Sequence, residues 1–161
     1  MGLSTAVGGR YHLAVPEIDE RSTAAALYNR CWQLLESDAR TADDDVELLT
    51  SAFTSRHHWL AVGQRDQWIT ADWMVARAAA ATGAGDLSLT FARRAYAAAR
   101  EPGVPDWLVA SAAEGVARAF AAVGDATQRD EWCRTAQALV AQIADPEDRS
   151  IIAEQLADVL R

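Results

Sequence analysis

The stretches VARAAAATGAGDLSLTFARRAYAAAR, residues 75–100, and VARAFAAVGDATQRDEWCRTAQALVA, residues 116–141, decide how this chain folds. A displacement of 41 residues lays Val75-Ala76-Arg77-Ala78 on Val116-Ala117-Arg118-Ala119 without a gap. The same shift puts Gly83 on Gly124, Phe91 on Trp132, Arg93 on Arg134 and Ala95 on Ala136. Alanine richness inflates any such match, but the arginine, glycine and aromatic coincidences do not depend on it. Apolar spacing in both copies is helical, and no segment alternates with period two over a strand's length, so no sheet is expected. A lone helix pair cannot cover its own apolar face. Stacked pairs repeating every roughly 40 residues can.

Working outward, turn residues divide the rest of the chain into further helices. The expected segments are about 19–37, 41–63, 66–82, 86–100, 106–124, 125–144 and 145–161. Asp19 is a candidate cap for the first. Asp43, Asp44 and Asp45 open the second, where carboxylates oppose the positive end of the helix dipole. Pro105, Pro146 and the glycines at 63, 83 and 124 supply the usual start and stop signals. Residues 1–16, with three glycines and Pro16, read as an extended arm, leaving 17–161 as a single helical-repeat domain. The fold class is therefore all-α, with about seven helices in stacked antiparallel hairpins.

Composition narrows the partners. The chain has 161 residues and a formal charge of −8, and its basic residues are all arginine. Abundant Arg and Ala without Lys match the codon bias of a GC-rich bacterium. An acidic surface disfavours nucleic acid, whose phosphates need a basic patch, and an anionic membrane face. A polar or cationic partner remains. Cys31 and Cys133 lie in separate helices and read as free buried thiols in a reducing cytosol. No apolar run approaches the roughly 18 residues of a membrane span, and no charged-then-apolar leader opens the sequence, so the expected location is cytoplasmic.

Gly85-Asp86, with Phe91, Ala97 and Ala98 following and Pro102 closing, resembles the second half of a tetratricopeptide repeat. The first half departs from that pattern, since its large residues are mostly alanine, and the sixth helix lacks the closing proline. The resemblance covers about residues 66–144 and implies a tetratricopeptide-like superhelix. Asn29, Trp32, Leu35-Glu36, His57-His58-Trp59, Gly63 and Trp73 are similar to a family of small helical bacterial proteins, which implies an architecture and no activity. The function implied by the fold resemblance is a binding module for a peptide, a protein partner or a second copy of itself as a homodimer. No cofactor is implied.

The alternative is a small enzyme or ligand-binding protein with a polar pocket between the first three helices. Its candidate lining is Asn29, Glu36, His57, His58, Trp59, Asp72 and Trp73. His57 falls at the edge of an apolar arc of Val46, Leu49, Phe53 and Leu60, and His58 falls on the other side of the helix. Adjacent helical residues point about 100° apart, so the pair cannot readily grip one metal, and no metal site is expected. Folding the second helix back on the third brings His58 level with Asp72, as a catalytic base and its orienting carboxylate require. The competing reading of Asp72 is an ordinary His–Asp or Arg–Asp pair between helices. Arg56 snorkels or meets a neighbour's acid, and Glu114 with Arg118 at i, i+4 reads as a surface ion pair. The six tryptophans read chiefly as fillers between alanine surfaces. Phosphate-cradling loops, nucleophile elbows and Cys-x-x-Cys are absent.

Overall fold

A computed structural model describes residues 18–160, so the arm expected at 1–16 lies outside the described residues. Seven helices follow in order: α1 (Glu20–Leu35), α2 (Ala42–Val62), α3 (Arg65–Ala81), α4 (Gly85–Ala99), α5 (Asp106–Val123), α6 (Ala126–Val140) and α7 (Pro146–Val159). The described residues contain no strand.

Local chemistry sets the boundaries. Asp19 accepts a hydrogen bond from the Ser22 N–H, and Thr41 and Asp44 form a reciprocal capping box. Asp125 and Asp145 cap α6 and α7, the latter with Pro146 at the first helical position. The glycines that coincide in the repeat do the same work in space. Gly83 and Gly124 take φ of +76° and +80°, which lets Ala84 N–H reach the Ala79 carbonyl and Asp125 N–H reach that of Phe120. Each closes its helix by the left-handed route that glycine adopts without strain.

Consecutive helices pack as hairpins, and in addition α1 meets α3, α3 meets α5 and α5 meets α7. The odd-numbered helices thus form one layer and the even-numbered ones flank it. Small residues permit the close approach: Ala76, Ala78, Ala79, Ala92, Ala95, Ala112, Ala113, Ala117 and Ala119 are all buried. Two buried hydroxyls tie even helices to odd ones. Ser55 Oγ donates to the Ala24 carbonyl and Ser88 Oγ to that of Ala76, each at 2.8 Å. No helix among the described residues is long and apolar enough to cross a membrane.

Two expectations need correction. The sixth helix stops at Val140, short of 144, because the chain turns there to bury Ile143 and to let the Ala144 N–H donate to the Asp106 carboxylate. The second helix is rotated from its expected setting. It buries Leu48, Ser51, Ala52, Ser55 and His58, while Val46, Phe53 and Leu60 remain exposed.

Candidate functional site

The odd-numbered layer carries a groove whose residues follow the sequence period. Trp32, Trp73, Glu114 and Gln155 stand 41 residues apart on α1, α3, α5 and α7. One turn toward the C-terminal ends come Glu36, Arg77, Arg118 and Val159, and one turn the other way come Thr70, Ser111 and Ile152. Four cavities open along these rows. One of about 390 Å³ is lined by Leu35, Arg40, Arg77, Arg118 and Asp158, among others. Its neighbour, about 510 Å³, shares Leu35, Arg77 and Asp158 and adds Trp32 and Glu36. The next, about 220 Å³, shares Trp32, Ile151 and Gln155 and adds Tyr28, Trp73 and Trp107. The last, about 300 Å³, shares Tyr28, Thr70 and Trp107 and adds Trp59 and Asp66. Each cavity shares lining residues with the next, so the four follow one another along a groove with α1 and α7 as its sides and α3 and α5 between them.

Beneath the half of the groove away from Trp59 and Trp107 lies a buried ionic cluster. Glu114 is fully inaccessible to solvent. Arg118 Nε donates to its Oε1 at 2.7 Å, Arg77 Nη1 reaches the same oxygen at 3.5 Å, and Trp73 Nε1 donates to Oε2 at 3.3 Å. Arg118 also donates to the Gln155 carbonyl at 2.8 Å, which ties α5 to α7. Arg77 sits over two indoles, 5.0 Å from the Trp32 centroid and 5.3 Å from that of Trp73. Burial draws its guanidinium down to about 10; the Arg118 charge acts the same way and Glu114 opposes it. Arg77 is therefore still charged at neutral pH, and two guanidinium groups share one carboxylate. A carboxylate in such a place is tolerable because both of its oxygens find donors, Oε1 from two guanidinium groups and Oε2 from an indole.

Of the residues singled out in sequence, Glu36, Trp59 and Trp73 line the groove. Asn29 is exposed and lines none of the four cavities. The His58–Asp72 pair does not form. His58 is buried with Nδ1 against Glu20 Oε2 of α1, while Asp72 is held by Arg56 Nε at 2.5 Å and Arg94 Nε at 3.3 Å. The rotation of α2 is the cause. With His58 in the α1 interface, Arg56 of α2 reaches Asp72 on α3, and His57 turns to solvent. His58 and Asp72 are accordingly not brought together in one pocket, and Asp72 is an arginine-paired carboxylate, while Trp59 lines the cavity that α1, α2 and α3 share with Trp107.

Sequence reasoning missed Tyr28, Arg77, Trp107 and the burial of Glu114. Glu114 and Arg118 are not a surface pair, because Glu114 is under the groove. The tryptophans do act as fillers, with Trp73 in the core and Trp32, Trp107 and Trp132 packed against it, but Trp32, Trp59, Trp73 and Trp107 also border the cavities. Among the described residues no three His, Cys, Asp or Glu side chains are placed to hold a metal ion. No family model, curated protein or solved structure matches this chain.

Proposed function

We propose that the chain is a tetratricopeptide-like binding module that takes an extended peptide along the groove of α1, α3, α5 and α7. The observation that carries this reading is the succession of four neighbouring cavities along the odd-numbered helices, each sharing lining residues with the next. A compact substrate needs one enclosed pocket with converging polar groups, whereas a chain-like ligand needs successive open subsites. The groove is of the second kind. Aromatic rings at one end offer rigid apolar contact, and Arg77 and Arg118 near the other fix polarity and register. Two buried free thiols, Cys31 and Cys133, suit a reducing compartment such as the cytoplasm.

Selection from a random peptide library on the immobilised full chain tests the reading. Recovered peptides should quench tryptophan emission, and Trp32→Ala should weaken them by tenfold or more, as removal of a central aromatic anchor does. Recovery of peptides indifferent to Trp32→Ala and Trp107→Ala would sink it.

Self-association is a second reading, favoured by a separate observation. Val46, Phe53 and Leu60, at seven-residue spacing on α2, are 66%, 38% and 46% exposed. Sedimentation decides it: a dimer dispersed by Phe53→Ser supports the reading, and a monomer at high concentration removes it.

A further inference from the structure

We propose that the aromatic end of the groove is a subsite for an organic cation, the alkylammonium or guanidinium head of a side chain on the bound peptide. The inference rests on the peptide-groove reading and names the chemistry that one part of it recognises.

Tyr28, Trp59 and Trp107 supply three aromatic walls of the roughly 300 Å³ cavity, and Asp66 supplies a carboxylate. No basic residue lines it. The adjoining cavity, reached past Tyr28 and Trp107, adds Trp32, Trp73 and Asp148, again with no basic lining residue. Aromatic faces carry negative charge density that attracts a cation, and the attraction strengthens when both are withdrawn from water. No described residue is hydrogen-bonded to or paired with the Asp66 or Asp148 carboxylate. An anion would meet two carboxylates there. A purely apolar ligand would strip water from Asp66 and return nothing. A cation satisfies both rings and acid.

Asp66 lies in the first turn of α3, where a carboxylate also offsets the helix dipole. That accounts for an acid at this position and not for three rings lining the same cavity. The chain already uses the proposed arrangement within itself. Arg77 lies over Trp32 and Trp73 with the Glu114 carboxylate beside it, a guanidinium seated on two indoles and one acid. The outer cavity repeats the rings and the acid with no guanidinium among its lining residues. Arg21 stacks on Trp59 at 5.6 Å and donates to the Val62 carbonyl, yet is not among the residues lining the cavity.

The test titrates the full chain with choline, N-acetyl-lysine amide, N-acetyl-arginine amide and dimethylbutanol, the neutral carbon isostere of choline. Indole resonances of Trp59 and Trp107 are followed by NMR on nitrogen-labelled protein. At least one cation should shift both indoles saturably while the isostere does not, and the best probe separates ammonium from guanidinium preference. Asp66→Asn and Trp107→Leu should each weaken that probe by about twofold to tenfold, the range expected for one cation–π or ionic partner. The wild-type comparison of choline with its isostere stands even if a variant misfolds. Equal binding of the isostere, or silence toward every cation, overturns the proposal. Peptides that shift the groove indoles but carry no Lys or Arg and ignore choline would sink the cation subsite and leave the groove. Cation binding with no recoverable peptide would leave the subsite and sink the peptide reading.

Discussion

Gly115 shows how one missing side chain shapes the groove. A Cβ there would stand 2.8 Å from Trp73 Cδ1, and Trp73 is buried against Trp32 with Arg77 over it. Gly115→Ala should gain about 1 kcal/mol in helix propensity and lose roughly 1–3 kcal/mol to overpacking, for a modest net destabilisation. Chemical denaturation measures the loss, and a changed Trp73 emission identifies where it arises. Glu114 is the sharper case. Glu114→Ala leaves Arg77 and Arg118 sharing a site with no carboxylate, which should cost about 3–5 kcal/mol by urea unfolding. Glu114→Gln keeps an acceptor for Trp73 and should cost less. None of this was visible in the residue types alone: Glu114 and Arg118 at i, i+4 are indistinguishable in sequence from an exposed pair until α3 and α7 are placed over them.

Among the elements, the ends of the helices were legible and some of their faces were not. Asp19, Thr41 with Asp44, Asp145 with Pro146, and the repeat glycines act through neighbours a few residues away, so the sequence holds the whole interaction. Gly83→Ala and Gly124→Ala should therefore cost similar amounts, about 1–2 kcal/mol each for a left-handed residue, and thermal unfolding of the two variants checks that equivalence. The face of α2 was misread for a physical reason. Val46, Phe53 and Leu60 make a better apolar row than the true interface, where small polar Ser51 and Ser55 are buried because α1 approaches closely enough to accept a bond from Ser55. Cys31, packed in that same region against Leu48, gives α1 a pH signature. Burial pushes its thiol from 9.0 up to about 11. The folded state then holds a proton that the unfolded chain releases, so this contribution to stability is whole below 9.0 and is lost as pH rises through about 11. Arg77, whose guanidinium burial draws down to about 10, acts in the opposite sense but only from about 10 upward. Between pH 9.0 and 10 the melting temperature should fall, and Cys31→Ala should make that slope shallower; an unchanged slope would contradict the assignment.

Over the whole molecule, the repeat is both what the sequence disclosed and what it concealed. Its 41-residue period fixed the stacking of hairpins, because alanine, glycine and arginine recur at matched positions. The row formed by Trp32, Trp73, Glu114 and Gln155 has the same period but keeps its residue type only from Trp32 to Trp73, so residue likeness along the chain does not mark it as one surface. Only the packing of α1, α3, α5 and α7 side by side turns those positions into a groove. We propose that this groove, and neither His57 nor Asp72, receives the partner. The indole resonances of the six tryptophans, followed during titration with a library-selected peptide, test it most directly. Trp32, Trp73 and Trp107 should shift while Trp132, packed against Tyr96 on α4, stays still. A shift at Trp132 with the groove indoles unmoved would contradict the account.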